Sequence, residues 1–159
     1  MKHIIYFVWF MLPLTLLGCS SVNTYIPFYP VHNNEIESIL VHSDTQSNQN
    51  VPVSMDILFI YQNSLMKSIK NLTSPAWFKN KQAFLLSFQH SLDIVHLEVV
   101  PQTAPEKVRL PDNYAKAVQV ILFANYINPK GQYQANLSQF KKLEINLHKD
   151  DYSLEEQSK

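Results

Sequence analysis

Cys19 is the one cysteine of the chain, and it closes the run Leu16-Leu17-Gly18-Cys19. A thiol placed there is a nucleophile for acylation. Lys2 supplies a positive end, and Ile4 to Leu17 supply an apolar core broken once by Pro13. Small residues follow where a signal peptidase needs them, so the layout is that of a secretory signal ending in a lipobox. Cleavage ahead of Cys19 makes the acylated cysteine the first residue of the mature protein. The apolar run is about 14 residues, short of the roughly 20 needed to span a bilayer as a helix.

The second group of residues with chemical potential is His90, Asp93, His96 and Glu98. Two imidazoles and two carboxylates could hold a metal or exchange a proton. On a strand, however, His96 and Glu98 share one face and Asp93 points the other way. A metal site would further require His90 to fold back, so the cluster reads as the polar side of a half-exposed strand. Trp77-Phe78 reads as the core-facing side of a helix on a sheet.

Other chemistries are absent. Gly18 and Gly131 are the two glycines, which excludes the glycine-rich phosphate loops. There is no GxSxG elbow and no HExxH pair. With a single cysteine, no intramolecular disulfide, zinc knuckle or CxxC site can form. Basic and acidic side chains number 13 each, and Arg109 is the only arginine. Without concentrated positive charge, a nucleic-acid partner is not expected. No cofactor is implied beyond a covalent lipid on Cys19. Ser20 after the cysteine favours export to the outer membrane over retention at the inner one.

The elements that position these residues follow from periodicity. Residues 19–34 are rich in Ser, Asn and Pro and read as a tether. Ile36 to His42 reads as a short strand. Residues 43–50, Ser-Asp-Thr-Gln-Ser-Asn-Gln-Asn, are entirely polar and read as a solvated loop. Pro52 to Gln62 is a strand with Met55, Ile57, Phe59 and Tyr61 on one face and Leu58 and Ile60 on the other, covered on both sides. From Asn63 to Phe84 the apolar spacing loosens to three and four, which predicts two short helices or one broken one. Pro75 suits the first turn of a helix, with Ser74 as its cap.

Ile94 to Val100 alternates as a strand, and Lys107 to Leu110 reads as a short one closed by Pro111. Ala117 to Tyr126 is the most apolar segment after the signal and the expected central strand. Asn128-Pro129-Lys130-Gly131 suits a type I turn. Phe140 to His148 places Leu143, Ile145 and Leu147 inward. The expected organisation is a signal over residues 1–18, a lipidated tether over 19–34, a β-sandwich over 35–150 and an acidic tail over 151–159. Several short strands with turns between them argue for a mostly β fold with a helical insertion.

The order of these elements resembles the outer-membrane lipoprotein family of type VI secretion systems, TssJ, also called VasD or SciN. Residues 52–62, Pro-Val-Ser-Met-Asp-Ile-Leu-Phe-Ile-Tyr-Gln, look like its second strand. Ser74-Pro75-Ala76-Trp77-Phe78 with Leu85 is similar to its helical stretch, and residues 117–126 to its penultimate strand. The resemblance implies a transthyretin-like β-sandwich that is not an enzyme and is fixed to the periplasmic face of the outer membrane by its lipid. It further implies a partner, the periplasmic domain of an inner-membrane TssM/IcmF protein. The family makes that contact through its first inter-strand loop, here Ser43, Asp44, Thr45, Gln46, Ser47, Asn48, Gln49, Asn50 and Val51. The alternatives are a pilotin, a type IV secretion lipoprotein, or a small periplasmic enzyme or ligand carrier with a pocket near His90 and His96.

Overall fold

The computed structural model describes residues 34–88 and 90–157. The expected signal, Cys19 and all of the tether but Asn34 lie outside the described residues. The described elements are β1 (Ser38–Ser43), β2 (Val53–Ile60), α1 (Asn63–Ile69), α2 (Ser74–Phe88), β3 (Leu92–Val99), β4 (Glu106–Lys107), β5 (Gln119–Ala124), β6 (Gln134–Asn136), β7 (Lys142–Leu147) and β8 (Tyr152–Glu156). The chain is mostly β, as its alternation requires.

Two four-stranded sheets form, ordered β4-β1-β7-β8 and β3-β2-β5-β6. β1 and β7 run parallel, while every other pair is antiparallel. Period-two alternation decides what each face buries. Val53, Met55, Ile57 and Phe59 of β2 join Ile39 and Val41 of β1 and Leu143, Ile145 and Leu147 of β7 in the core between the sheets. Leu58 and Ile60 point the other way and meet Leu65, Ile69 and Trp77 of the two helices. The second sheet is therefore covered on both faces, as the sequence of β2 predicts.

The helical insertion is held by aromatic packing. Trp77 is fully buried and stacks on Phe123 of β5 at 5.2 Å between ring centroids. Phe84 meets the edge of Trp77 at 5.6 Å. Ser74 is not the cap but the first helical residue. The Thr73 hydroxyl accepts from the Ala76 N–H at 3.4 Å, while the Ser74 hydroxyl donates to the Tyr133 carbonyl.

Two other expectations are corrected. The segment read as an acidic tail contains β8, paired with β7 from Leu147↔Tyr152 to Leu143↔Glu156. Its charges hid an inward Tyr152, and Glu156 accepts from the backbone N–H groups of Lys141 and Lys142, each at 3.0 Å. The expected strand over 107–110 pairs with β1 only at Glu106 and Lys107. The turn expected over Asn128–Gly131 forms, the Gly131 N–H donating to the Asn128 carbonyl at 3.0 Å, and it extends as a short 3-10 helix, Pro129–Gly131. Gly131 is required there by proximity: a Cβ would lie 2.4 Å from Cγ of the Tyr126 ring.

Candidate functional site

The β1–β2 connection is not the uniformly solvated loop its composition suggests. Ser43 completes β1, and the chain then closes into a short 3-10 helix, Ser47–Asn50. Ser47 and Asn48 are buried. Asn48, Gln49 and Asn50 have φ of 45°, 59° and 65°. Three successive non-glycine residues in the left-handed region cost roughly 1–2 kcal/mol each, so the surroundings must hold them.

Asn48 supplies the hold. Its N–H donates to the His148 carbonyl at 3.0 Å. Its Oδ1 accepts from the Ile127 N–H at 2.8 Å, and its Nδ2 donates to the Pro52 carbonyl at 3.2 Å. His148 continues the tie, with Nδ1 at 2.8 Å from Asp44 and Nε2 at 3.0 Å from Ser153. Of the nine residues expected to bind a partner, Ser47 and Asn48 are thus spent inside the fold. Asp44, Thr45, Gln46, Gln49, Asn50 and Val51 remain exposed. Val51 is 44% exposed, and Val100 and Ile127, which follow β3 and β5 at the same end of the sandwich, are 47% and 52% exposed.

A second polar centre lies beneath α2. Asp56 sits on β2 on the side of Leu58 and Ile60 and is fully buried. As a carboxylate it only accepts hydrogen bonds. Trp77 Nε1 donates to Oδ2 at 2.7 Å, Lys81 Nζ lies 2.9 Å from Oδ2 and 3.0 Å from Oδ1, and His96 Nδ1 meets Oδ1 at 2.7 Å. All its partners come from α2 and β3, so the cluster fastens the helix to the sheet. The His96 side chain is otherwise about half exposed.

The four titratable residues singled out in the sequence are not brought together. His96 bonds Asp56, Glu98 accepts from the Ser54 hydroxyl at 2.5 Å, and Asp93 accepts from the Tyr61 hydroxyl at 2.6 Å on the other face. Burial, then the Asp93 hydrogen bond and charge, push the Tyr61 phenol well above its ordinary value. His90 lines a cavity of about 540 Å³ with Tyr61, Leu92, Asp93, Asn113 and Lys116. His96 is not on that cavity, so the His90–His96 pocket of the enzyme or carrier alternative does not form.

No protein-family model and no curated protein sequence matches this chain. Solved structures do match. One is the type VI secretion lipoprotein TssJ1 from Pseudomonas aeruginosa, with a TM-score of 0.57 and 13% identity over 79% of this chain and 98% of that one. Another is Lip from Serratia marcescens, a membrane-bound component of the type VI secretion system, with a TM-score of 0.50 and 11% identity over 76% of this chain and 96% of that one. The fold is that of the type VI secretion lipoproteins.

Within that fold, sequence reasoning missed Asp56 and the structural role of Asn48. Asp56 left a signal, a lone carboxylate inside a strand whose two faces are otherwise apolar. Asn48 left none, because a polar residue in a polar run gives no sign that its amide faces inward. A cluster of Tyr126, Tyr133 and Tyr152 was also missed. Tyr133 and Tyr152 stack at 4.5 Å, and each hydroxyl donates to the other's carbonyl, at 2.7 and 3.0 Å.

Proposed function

We propose that this chain is a lipid-anchored, non-catalytic subunit of a type VI secretion membrane complex. Cys19 carries the lipid at the periplasmic face of the outer membrane. The sandwich binds the periplasmic part of an inner-membrane TssM/IcmF-type protein. The observation that carries the reading is the shared fold, which spans nearly the whole of both type VI lipoproteins. The lipobox and the lack of a convergent catalytic set at His90, Asp93, His96 and Glu98 support it. The exposed end formed by Val51, Val100 and Ile127, beside the β1–β2 loop, offers an apolar contact surface. Apolar groups clustered at one exposed site mark association surfaces.

The test pairs one variant with the native chain in cells. Cys19→Ser should lose labelled palmitate and leave the outer-membrane fraction. The tagged native chain should recover the IcmF-type protein from solubilised membranes. Retained label in Cys19→Ser, or no recovery of that protein at endogenous levels, would overturn the reading.

A further inference from the structure

β3 is an open edge. Its sheet is ordered β3-β2-β5-β6, so among the described residues β3 pairs on one side only. The eight residues Leu92–Val99 pair with β2 in unbroken register, from Ile60↔Leu92 to Val53↔Val99. The Tyr61 N–H donates to the Ser91 carbonyl at 2.9 Å. Hydrogen-bonded and non-bonded pairs alternate in an antiparallel ladder. Asp93, Val95, Leu97 and Val99 therefore bond β2. The N–H and C=O groups of Ile94, His96 and Glu98 face outward, spaced to receive another strand.

The other three edges are blunted. β4 has two residues, β6 has three, and β8 ends in the exposed acids Glu155 and Glu156. Edges are commonly protected by brevity, proline, lysine or a bulge. β3 has length and none of those interruptions.

A groove runs along this edge. Beside the first part of β3, Asp93, Ile94 and Val95 form one wall and Arg109, Leu110, Pro111 and Asp112 the other, around an open space of about 340 Å³. Val95 and Leu110 are partly buried apolar residues at the margin of the main core. A strand added to β3 would project alternate side chains into that groove. The charges set what the strand carries. β3 has Asp93 and Glu98 and no lysine or arginine. Pairing β3 with β3 of a second copy would gather six carboxylates, Asp93, Glu98 and Asp112 of each, against two Arg109 guanidiniums, and that excess of like charge disfavours self-pairing.

We propose that β3 receives an extended segment of a protein partner by strand addition. The segment is apolar where it faces Val95 and Leu110 and basic where it passes Glu98. This rests on the reading of the chain as a subunit that binds a periplasmic partner, and it locates a contact apart from the β1–β2 loop. Main-chain bonds would give affinity, and the groove would give specificity.

The test uses the full chain in detergent with the purified periplasmic region of the IcmF-type protein. Amide exchange is read residue by residue with and without it. The expected result is slowed exchange at Ile94, His96 and Glu98 in the complex. Glu98→Pro removes an outward N–H that the fold does not use, as proline permits on an edge. It should weaken binding by at least about tenfold, since the partner loses one main-chain bond and meets the proline ring. Glu98→Lys, which keeps that N–H, should weaken it through charge alone. Both should leave the melting temperature unchanged.

Tight binding with unchanged exchange at these amides would overturn the strand inference and leave the functional reading intact. No binding at all would overturn both. Protection already present in the free, dilute chain, or appearing only as its own concentration rises, would overturn the choice of partner strand. If Glu98→Pro alters the melting temperature, the exchange pattern and Glu98→Lys decide.

Discussion

The indole N–H of Trp77 donates to a carboxylate oxygen of Asp56 at 2.7 Å, with both side chains fully buried. This bond explains how a charged residue is tolerated in the middle of β2. A buried carboxylate without partners would be severely destabilising. Here the indole, the Lys81 ammonium and the His96 ring satisfy it from three directions. The result joins α2 to a sheet whose other face is occupied by the main core.

Asp56→Ala should therefore destabilise the fold by about 3 kcal/mol, because it leaves the Trp77 N–H buried without an acceptor and creates a small void. Asp56→Asn keeps one acceptor oxygen and should cost less. Urea denaturation of both variants measures the difference. Equal stability of Asp56→Ala and the native chain would show that Trp77 finds another partner.

Gly131→Ala should be destabilising for a packing reason. Gly131 is buried, and an added methyl would lie 2.4 Å from Cγ and 2.8 Å from Cβ of Tyr126. Overpacking of this kind costs roughly 1–3 kcal/mol. Chemical denaturation checks it. The Tyr126 hydroxyl also bonds the His148 carbonyl at 3.2 Å, so displacing the ring loosens the turn that holds Asn48.

The sequence carried most of the sandwich because alternation is a local signal. The faces of β2 and the inward set of β7 were readable residue by residue, as was the helical break after Gln62. β6 escaped because Gln134–Asn136 is too short for alternation to register. β8 escaped because its alternation, Tyr152 then Leu154, is overlaid by acids, of which Glu156 accepts from the backbone at the start of β7. The β1–β2 loop was located correctly and misjudged in character. Composition reports polarity, and it cannot say that the Asn48 amide substitutes for a missing strand partner at Ile127 and Pro52. The spacing of Asp93, His96 and Glu98 did show that the pleat separates Asp93 from the other two, and only their partners, Tyr61 for Asp93 and Asp56 for His96, were hidden.

Stability should fall in alkali. Burial is the leading cause that raises the phenols of Tyr61, Tyr126, Tyr133 and Tyr152 above the ordinary 10.0. Below that value both folded and unfolded chains keep the protons, and the contribution is fully present. Above it the unfolded chain releases protons that the folded chain retains, so unfolding is favoured as pH rises. Denaturation midpoints should be flat from about pH 8 to 9.5 and decline beyond about pH 10. Tyr152→Phe should reduce the slope. A midpoint that stays level through that range would show that these phenols ionise as freely in the fold as outside it.

The β1–β2 loop should separate into a structural half and a contact half. Asn48 makes three hydrogen bonds that fix the left-handed run, and its Oδ1 is the acceptor for Ile127 N–H. Asn48→Ala should cost about 2 kcal/mol, from lost bonds and from a β-carbon without an amide in the left-handed region. Deleting residues 46–49 should do at least as much harm, so a binding defect in that deletion would not identify a contact. Gln46→Ala and Gln49→Ala alter exposed side chains and should leave the melting temperature unchanged, as surface substitutions do. Val51→Asp places a charge on the exposed apolar end beside Val100 and Ile127. If this end meets the partner, Val51→Asp should weaken binding by about tenfold or more, since desolvating a carboxylate against an apolar surface is costly. Affinity and melting temperature measured on the four substitutions decide it. Native affinity in Val51→Asp, with the fold intact, would move the interface away from this end of the sandwich.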